Sequence, residues 1–378
     1  MTSSERLRKV LRGEIPDCVP AAPDFSNMIP AKMTGKPFWD LYLYNDPPIW
    51  EAYVNCAKFF EIDTLMDGYF PLRFAEETAN EPPWKKAIVS ESAEMIITRD
   101  YYVESGKTCW KDTADVFYKY DPPTRNIKPE KLNLPPAPPK WRPVENIKPV
   151  DCSPDGYKKI KQLIGERGLA GVWVSSTGLL TCEEDIFAYY DNPRYFEKLA
   201  EEHLEKSVAR FERVMAMDEK PDFICLGCSG TLVFQTPEIF RKLALPTVKE
   251  LTRMAKEAGV FTHIHSCGPE KELVKIMAEE TDLTVIDPLE IPPMGDCNLA
   301  GLKRLYGKKL VLKGNLHTTD VMLNGTVDEV IQASRKAIDD AAEGGRFILS
   351  TGDQCGRDTP FENLHAMIET ARSYGKYR

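Results

Sequence analysis

Three features of this 378-residue chain predict a (β/α)₈ barrel with an inserted β-rich lobe. Short β-branched or apolar runs alternate with amphipathic segments, the pattern of a parallel sheet with helices outside. There are eight such runs, the number that closes a barrel. The length exceeds one average domain but suits a barrel with an insertion. An open, doubly wound sheet is the alternative reading of the same alternation.

Residues 3–13 read as an N-terminal helix. The eight runs are Val19–Pro23, Ile62–Asp67, Gly171–Ser175, Asp222–Leu226, Val260–His265, Leu283–Ile286, Lys309–Lys313 and Arg346–Ser350. Between them lie helical segments such as Asn192–Met217, Pro237–Ala258, Glu270–Glu279 and Val327–Ala342. Residues 85–120 break the alternation and read as strands joined by turns, with Ser105-Gly106 a hairpin candidate. Residues 121–150 are proline-rich, which removes backbone donors and favours extended chain. The stretch 85–150 is therefore expected to be one excursion from a single barrel domain spanning 1–378, covering part of the barrel mouth or an interface.

The net charge of −9 argues against nucleic acid as a partner, which needs a positive surface. No apolar run is long enough to span a membrane, and the polar start MTSSERLRKVLRGE lacks a signal-peptide core, so a cytoplasmic protein is expected. Ten cysteines in such a chain point to metal binding or structural roles rather than disulfides. Cys56, Cys109, Cys182 and Cys225 sit in apolar or helical surroundings and read as small hydrophobes.

Chemistry in a (β/α)₈ barrel sits at the carboxyl ends of the strands. The residues delivered there are Asp24, Asp67, Ser175 with Ser176, Cys228, His265 with Cys267, Asp287 with Glu290, Asn315 with His317, and Asp353 with Cys355. The sharpest local signal is FTHIHSCGPE. Strand side chains alternate faces, so His265 and Cys267 point the same way and can reach one ion. Imidazole plus thiolate suits zinc. The same pair also reads as a buried histidine beside a buried cysteine. The second signal is STGDQCGRDTPFENL, where Cys355 lies in a loop before a capping box at Thr359 and Glu362.

The remaining mouth residues each have two readings. His263 shares the parity of His265 but lies deeper, as a packing residue. Asp287 and Glu290 either ligate or orient a ligand, or are solvated loop charges. Glu290 and Asp67 are the candidate catalytic carboxylates. Asp67, Cys228, Asn315 and His317 are the candidate substrate contacts. Tyr69, Phe70, Trp173 and Phe234 suit an apolar substrate or plain packing, with packing preferred. His203 and His365 read as surface or packing residues.

The opening SERLRKVLRGEIPDCVP, the stretch LVLKGNLHTTDVML and the tail GDQCGRDTPFENLHAMI resemble the uroporphyrinogen decarboxylase superfamily from end to end. That resemblance implies a (β/α)₈ barrel. The true decarboxylases carry an arginine-rich signature of the type RQAGRY that holds substrate carboxylates. Here the corresponding PAAPDFSNMIPAKMTGKPF has no arginine, and a four-ring polycarboxylate needs cationic clamps. The other branch comprises corrinoid-dependent methyltransferases, marked by HxC and a distant cysteine in the last βα loop, which together bind zinc. His265, Cys267 and Cys355 match that pattern. In many relatives the loop cysteine lies two residues further from the Thr-Pro, so an ungapped match puts Asp353 in its place. Softness favours thiolate beside His and Cys, with Asp353 the substitute.

The resemblance implies methyl transfer between a cobamide and a small molecule, O-demethylation of methoxylated compounds being one form. Zinc would activate an incoming thiol, or polarise a methylated donor. The cobamide would arrive on a small corrinoid protein, since nothing here resembles a cobamide-binding segment. A homodimer is compatible with this. The competing expectations are a decarboxylase acting on a tetrapyrrole or smaller acid, and a non-catalytic barrel binding module.

Overall fold

A computed structural model describes residues 1–78 and 82–377. These form two compact units: Met1–Asp24, Ala57–Phe70 and Tyr157–Arg378 make one, and Phe25–Cys56 with Pro71–Gly156 the other. The strands, in chain order, are β1 (Thr64–Met66), β2 (Lys85–Glu91), β3 (Met95–Glu104), β4 (Lys107–Tyr118), β5 (Thr124–Ile127) and β6 (Arg142–Pro143). They continue with β7 (Gly168–Trp173), β8 (Phe223–Gly227), β9 (Phe261–His265), β10 (Val285–Asp287), β11 (Val311–Leu316) and β12 (Phe347–Thr351).

In the first unit seven strands pair in parallel, in the order β1-β7-β8-β9-β10-β11-β12. Most are buried on both faces, as helix-covered parallel strands must be. The run Val19–Pro23 supplies the eighth stave. Its pairing is reduced to a bridge between Ala21 and Leu349, yet both flanks are hydrogen-bonded. Ala22 N–H donates to Leu349 O, Leu349 N–H to Pro20 O, and Asp63 N–H to Ala21 O, each at 2.9 Å. The sheet therefore closes into a barrel, which removes the open-sheet alternative. Pro20 and Pro23 cannot donate, which accounts for the incomplete ladder.

The helix Ser3–Arg12 seals the amino end of the barrel. A reciprocal capping box between Thr2 and Glu5 starts it, and left-handed Gly13 (φ 79°) ends it. Its Leu7, Val10 and Leu11 join Leu65, Leu169, Phe223, Val285, Val311 and Ile348 in the barrel core. The carboxyl ends of the strands lie at the opposite end of the barrel from this plug. The predicted helix Pro237–Ala258 is two helices, Pro237–Leu243 and Leu245–Glu257, because Pro246 suits only a first turn. Strand β11 runs past its predicted end to Leu316 and so includes Asn315. No helix among the described residues is long and apolar enough to cross a membrane.

The second unit holds an antiparallel sheet in the order β5-β4-β3-β2-β6. Ser105 (φ 51°) and Gly106 (φ 77°) form the two-residue turn between β3 and β4, as their left-handed backbones require. Leu43, Ile88, Ile96 and Phe117 form its core. The proline-rich return is held by buried Arg99, whose guanidinium donates to the carbonyls of Pro135 (3.2 Å), Pro136 (2.7 Å) and Lys111 (2.6 Å).

Candidate metal centre

The site grows from the register of β9 against β10. His263 pairs across from Val285, and His265 from Asp287. Both imidazoles therefore reach one carboxylate. His263 Nε2 lies 2.8 Å from Asp287 Oδ1, and His265 Nδ1 lies 3.2 Å from the same oxygen. The other Asp287 oxygen takes Lys313 Nζ, delivered by β11. His263 is closed off by Asp67, whose Oδ2 lies 3.2 Å from Nδ1. Burial alone would raise the Asp287 carboxyl; Lys313 and the two histidines override it and hold it well below the carboxylate range. Burial likewise opposes a charged His265, and Asp287 outweighs it, lifting the imidazole well above its usual value.

With Nδ1 engaged by Asp287, His265 presents Nε2 to the mouth, 3.6 Å from Asp353 Oδ1. This is the carboxylate–histidine geometry that orients a metal ligand from behind. Donor atoms gather there in two overlapping groups: Asp24, His265 and Asp353, and Cys267, Glu290 and Asp353. Each group lies within 4.8 Å, so about 1 Å of closure would let its atoms share a zinc with bonds of roughly 2.0–2.3 Å. His265 and Cys267 fall in different groups, joined through Asp353, and the donor types of each are ones that a divalent cation fits. Its charge offsets the crowding, because Lys313, the cation deeper in the barrel, is engaged by Asp287.

Local backbone fixes several of these groups. Gly227, at the end of β8, has φ 106°, and a Cβ there would sit 2.5 Å from His265 O. Glu290 accepts from Gly268 N–H at 2.5 Å, tying the loop after β10 to the turn that follows Cys267. Burial raises its carboxyl. Asp353 has φ 107°, a strained conformation for a residue with a Cβ, in the loop where its carboxylate meets both donor groups.

The sequence-predicted residues divide accordingly. His265 and Cys267 lie among the donors, with Glu290. Cys355 lies outside both donor groups. Its thiol is fully buried, its backbone N–H donates to Asp24 O at 2.9 Å, and burial pushes its pKa up to about 12. Asp353, the substitute, belongs to both donor groups. Asp67 meets His263 rather than either group. Cys228 directs its thiol to Ser229 O at 3.2 Å. Asn315 donates from Nδ2 to Leu289 O at 3.1 Å, holding the loop that carries Glu290. His317 Nδ1 accepts from Thr319 and Asp320 N–H at 3.3 and 2.9 Å, which leaves Nε2 as the protonated nitrogen, buried and without a hydrogen bond. Phe70 packs against Tyr157 and Trp173 against the barrel core, as packing residues.

Two features escaped the sequence reading. Lys313 sits in VLKGNL, where every residue is buried; a lysine inside such a run signals a buried carboxylate partner. His203 is a partner of the β7 end, with Nε2 3.0 Å from Ser175 Oγ and 2.9 Å from Ser176 O, and Ser175 Oγ also meets Ser207 Oγ at 2.8 Å.

Residues 188–374 match the family described as Uroporphyrinogen decarboxylase (URO-D). The methylcobamide:CoM methyltransferase MtbA of Methanosarcina mazei is 32% identical over 139 residues, 36% of this chain and 37% of that protein. The methylated-thiol–coenzyme M methyltransferase of the same organism is 26% identical over 147 residues, 39% of this chain and 35% of that protein. The matches thus span little more than a third of these relatives' length. Among solved structures, a methyltransferase from Methanosarcina mazei superposes with a TM-score of 0.65 at 15% identity, covering 99% of both chains. That likeness establishes the shared barrel fold.

Proposed function

We propose that this chain, whose residues 188–374 match the uroporphyrinogen decarboxylase family, belongs to that family's corrinoid-dependent methyltransferase branch and moves a methyl group between a cobamide and a small molecule at a zinc ion. The observation that carries the reading is the convergence of His265, Cys267, Glu290, Asp353 and Asp24 at the barrel mouth, with Asp287 behind His265. His265 and Cys267 would hold the ion, together with a third ligand from the loop after β12. Asp353 is in position for that role, and Cys355, two residues on, is the softer donor. When bound, the zinc lowers the pKa of a thiol acceptor, so that a thiolate forms near neutral pH.

The chain's own residues then have separable tasks. Asp287 fixes the His265 tautomer by accepting at Nδ1. Lys313 keeps Asp287 ionised, and Asp67 closes the network through His263. Glu290 spends Oε2 on Gly268 N–H and keeps Oε1 for the proton that leaves the acceptor thiol, or for a fourth metal bond. His317 and Cys228 face substrate, and Asn315 holds the loop behind it. A small corrinoid protein docks over the mouth to deliver or receive the methyl group.

Metal analysis of purified protein tests the first half: near-stoichiometric zinc in wild type, and loss of it in Cys267→Ala. A zinc-free wild type under non-chelating conditions would sink the reading. Demethylation of free methylcobalamin by a panel of thiols tests the second half, with zinc-dependent thioether formation expected.

A further inference from the structure

The opposite, amino end of the barrel holds a cavity of about 660 Å³ that the proposed chemistry does not use. Its apolar floor is Val260 and Phe261, both partly exposed, beside the buried Leu11, Met277 and Leu310. Its wall carries six cations, Arg8, Arg12, Lys256, Lys308, Lys309 and Arg346, against a single acid, Asp282. In a chain of net charge −9 that balance is inverted.

Two of the six are neutralised: Arg8 by Asp222, and Lys256 by Asp282 at 2.6 Å. The other four have no carboxylate within ion-pair distance among the described residues. Lys309 donates to Ala278 O, and Arg346 reaches only the carbonyls of Lys309 (3.4 Å) and Arg12 (3.5 Å). Helix C-termini at this end supply roughly half a negative charge each, which holds such cations without neutralising them.

Arg346 is seated by the backbone. Its guanidinium lies across Gly13, where a Cβ would fall 2.1 Å from Nη2. It follows Gly344 and Gly345, and all three have positive φ, which for an arginine is a strained conformation. Nearby Lys303 is pushed down to about 8, chiefly by burial and then by Arg346, against the opposing pull of Glu343.

We propose that this cavity binds a small phosphorylated molecule carrying two or more negative charges, with Arg12, Lys308, Lys309 and Arg346 on the phosphate and the apolar floor under the organic part. Guanidinium forks and ammonium groups are the usual phosphate partners, and a concave basic wall concentrates anions. The volume falls within the range of small-molecule pockets. The site is separate from the mouth, so its occupancy does not depend on methyl transfer.

The test is calorimetric titration of the full chain with pyrophosphate and with phenyl phosphate, using chloride at equal ionic strength as the control. Arg12 and Lys308 are exposed, so Arg12→Gln/Lys308→Gln should keep its fold and the melting temperature of the free protein. Saturable one-to-one binding of pyrophosphate, weakened about tenfold or more in that variant, is the expected result. Tighter binding of phenyl phosphate than of inorganic phosphate, titrated in parallel, would support the role of the floor. Failure to saturate, equal binding by the variant, or an equal response to chloride would overturn the proposal.

Discussion

Replacing Asp287 by Asn is the sharpest perturbation the structure offers. The side chains of Asp287 and Lys313 are 2% and 6% exposed, so neither can turn to water if the other is lost. Removing one member of a buried pair costs about 3–5 kcal/mol, because the survivor stays charged and uncompensated. The amide also cannot serve His263, His265 and Lys313 as the carboxylate does, so His265 loses its orienting acceptor. Loss of such a partner weakens metal binding by roughly 10–100-fold. The two effects separate in a double-mutant cycle. Lys313→Met added to Asp287→Asn removes the stranded ammonium and should restore much of the stability while leaving zinc affinity low. Urea denaturation reads the first quantity, and competition with a chromogenic chelator the second. A single Asp287→Asn variant within about 1 kcal/mol of wild type, a typical single-substitution effect, and with undiminished zinc affinity, would refute the reasoning.

Other outcomes follow from the same structure. Asp353→Asn should lower zinc content more than Cys355→Ser, because the Asp353 carboxylate lies in both donor groups and the Cys355 thiol in neither; elemental analysis of the two variants decides it. Leu7→Ala in the plugging helix should cost about 2–5 kcal/mol in denaturant unfolding, as its side chain is fully buried in the barrel core. The Asp17 carboxyl is drawn from 3.8 to about 2 by its hydrogen bond to Arg6. That contribution to stability is present above about pH 4 and is lost as pH falls toward 2, so Asp17→Asn should flatten the acid limb of a stability–pH profile.

Much of the barrel was legible because each strand announces itself locally. A short apolar run ends in a polar turn, and strand ends tell where chemistry collects. His265 and Cys267 could be read for that reason: they are two apart on a single strand. Asp287 as a hub could not, because it depends on which residue of β10 lies opposite His265, and register between strands is not written in either one. Lys313 was visible as an anomaly, but its partner was not. Ligand softness favours Cys355 over Asp353, a rule about the ion. The loop backbone puts the Asp353 carboxylate in the donor groups and buries the Cys355 thiol, which softness alone does not foretell. The helix break at Ala244 is signalled by Pro246 but masked by an apolar periodicity that continues across it.

The stave Val19–Pro23 has a consequence for the order in which the protein matures. Ser350 Oγ reaches Ala22 O at 2.8 Å across a separation of 328 residues. During synthesis this first stave waits, unpaired on that flank, until β12 has emerged. Long-range pairings of this kind are the slow ones. Asp24 follows the stave directly, and Asp353 follows β12. The two acidic members of the Asp24–His265–Asp353 group therefore come together only when the ring shuts, and zinc uptake by a refolding chain would serve as a chemical clock for that last event.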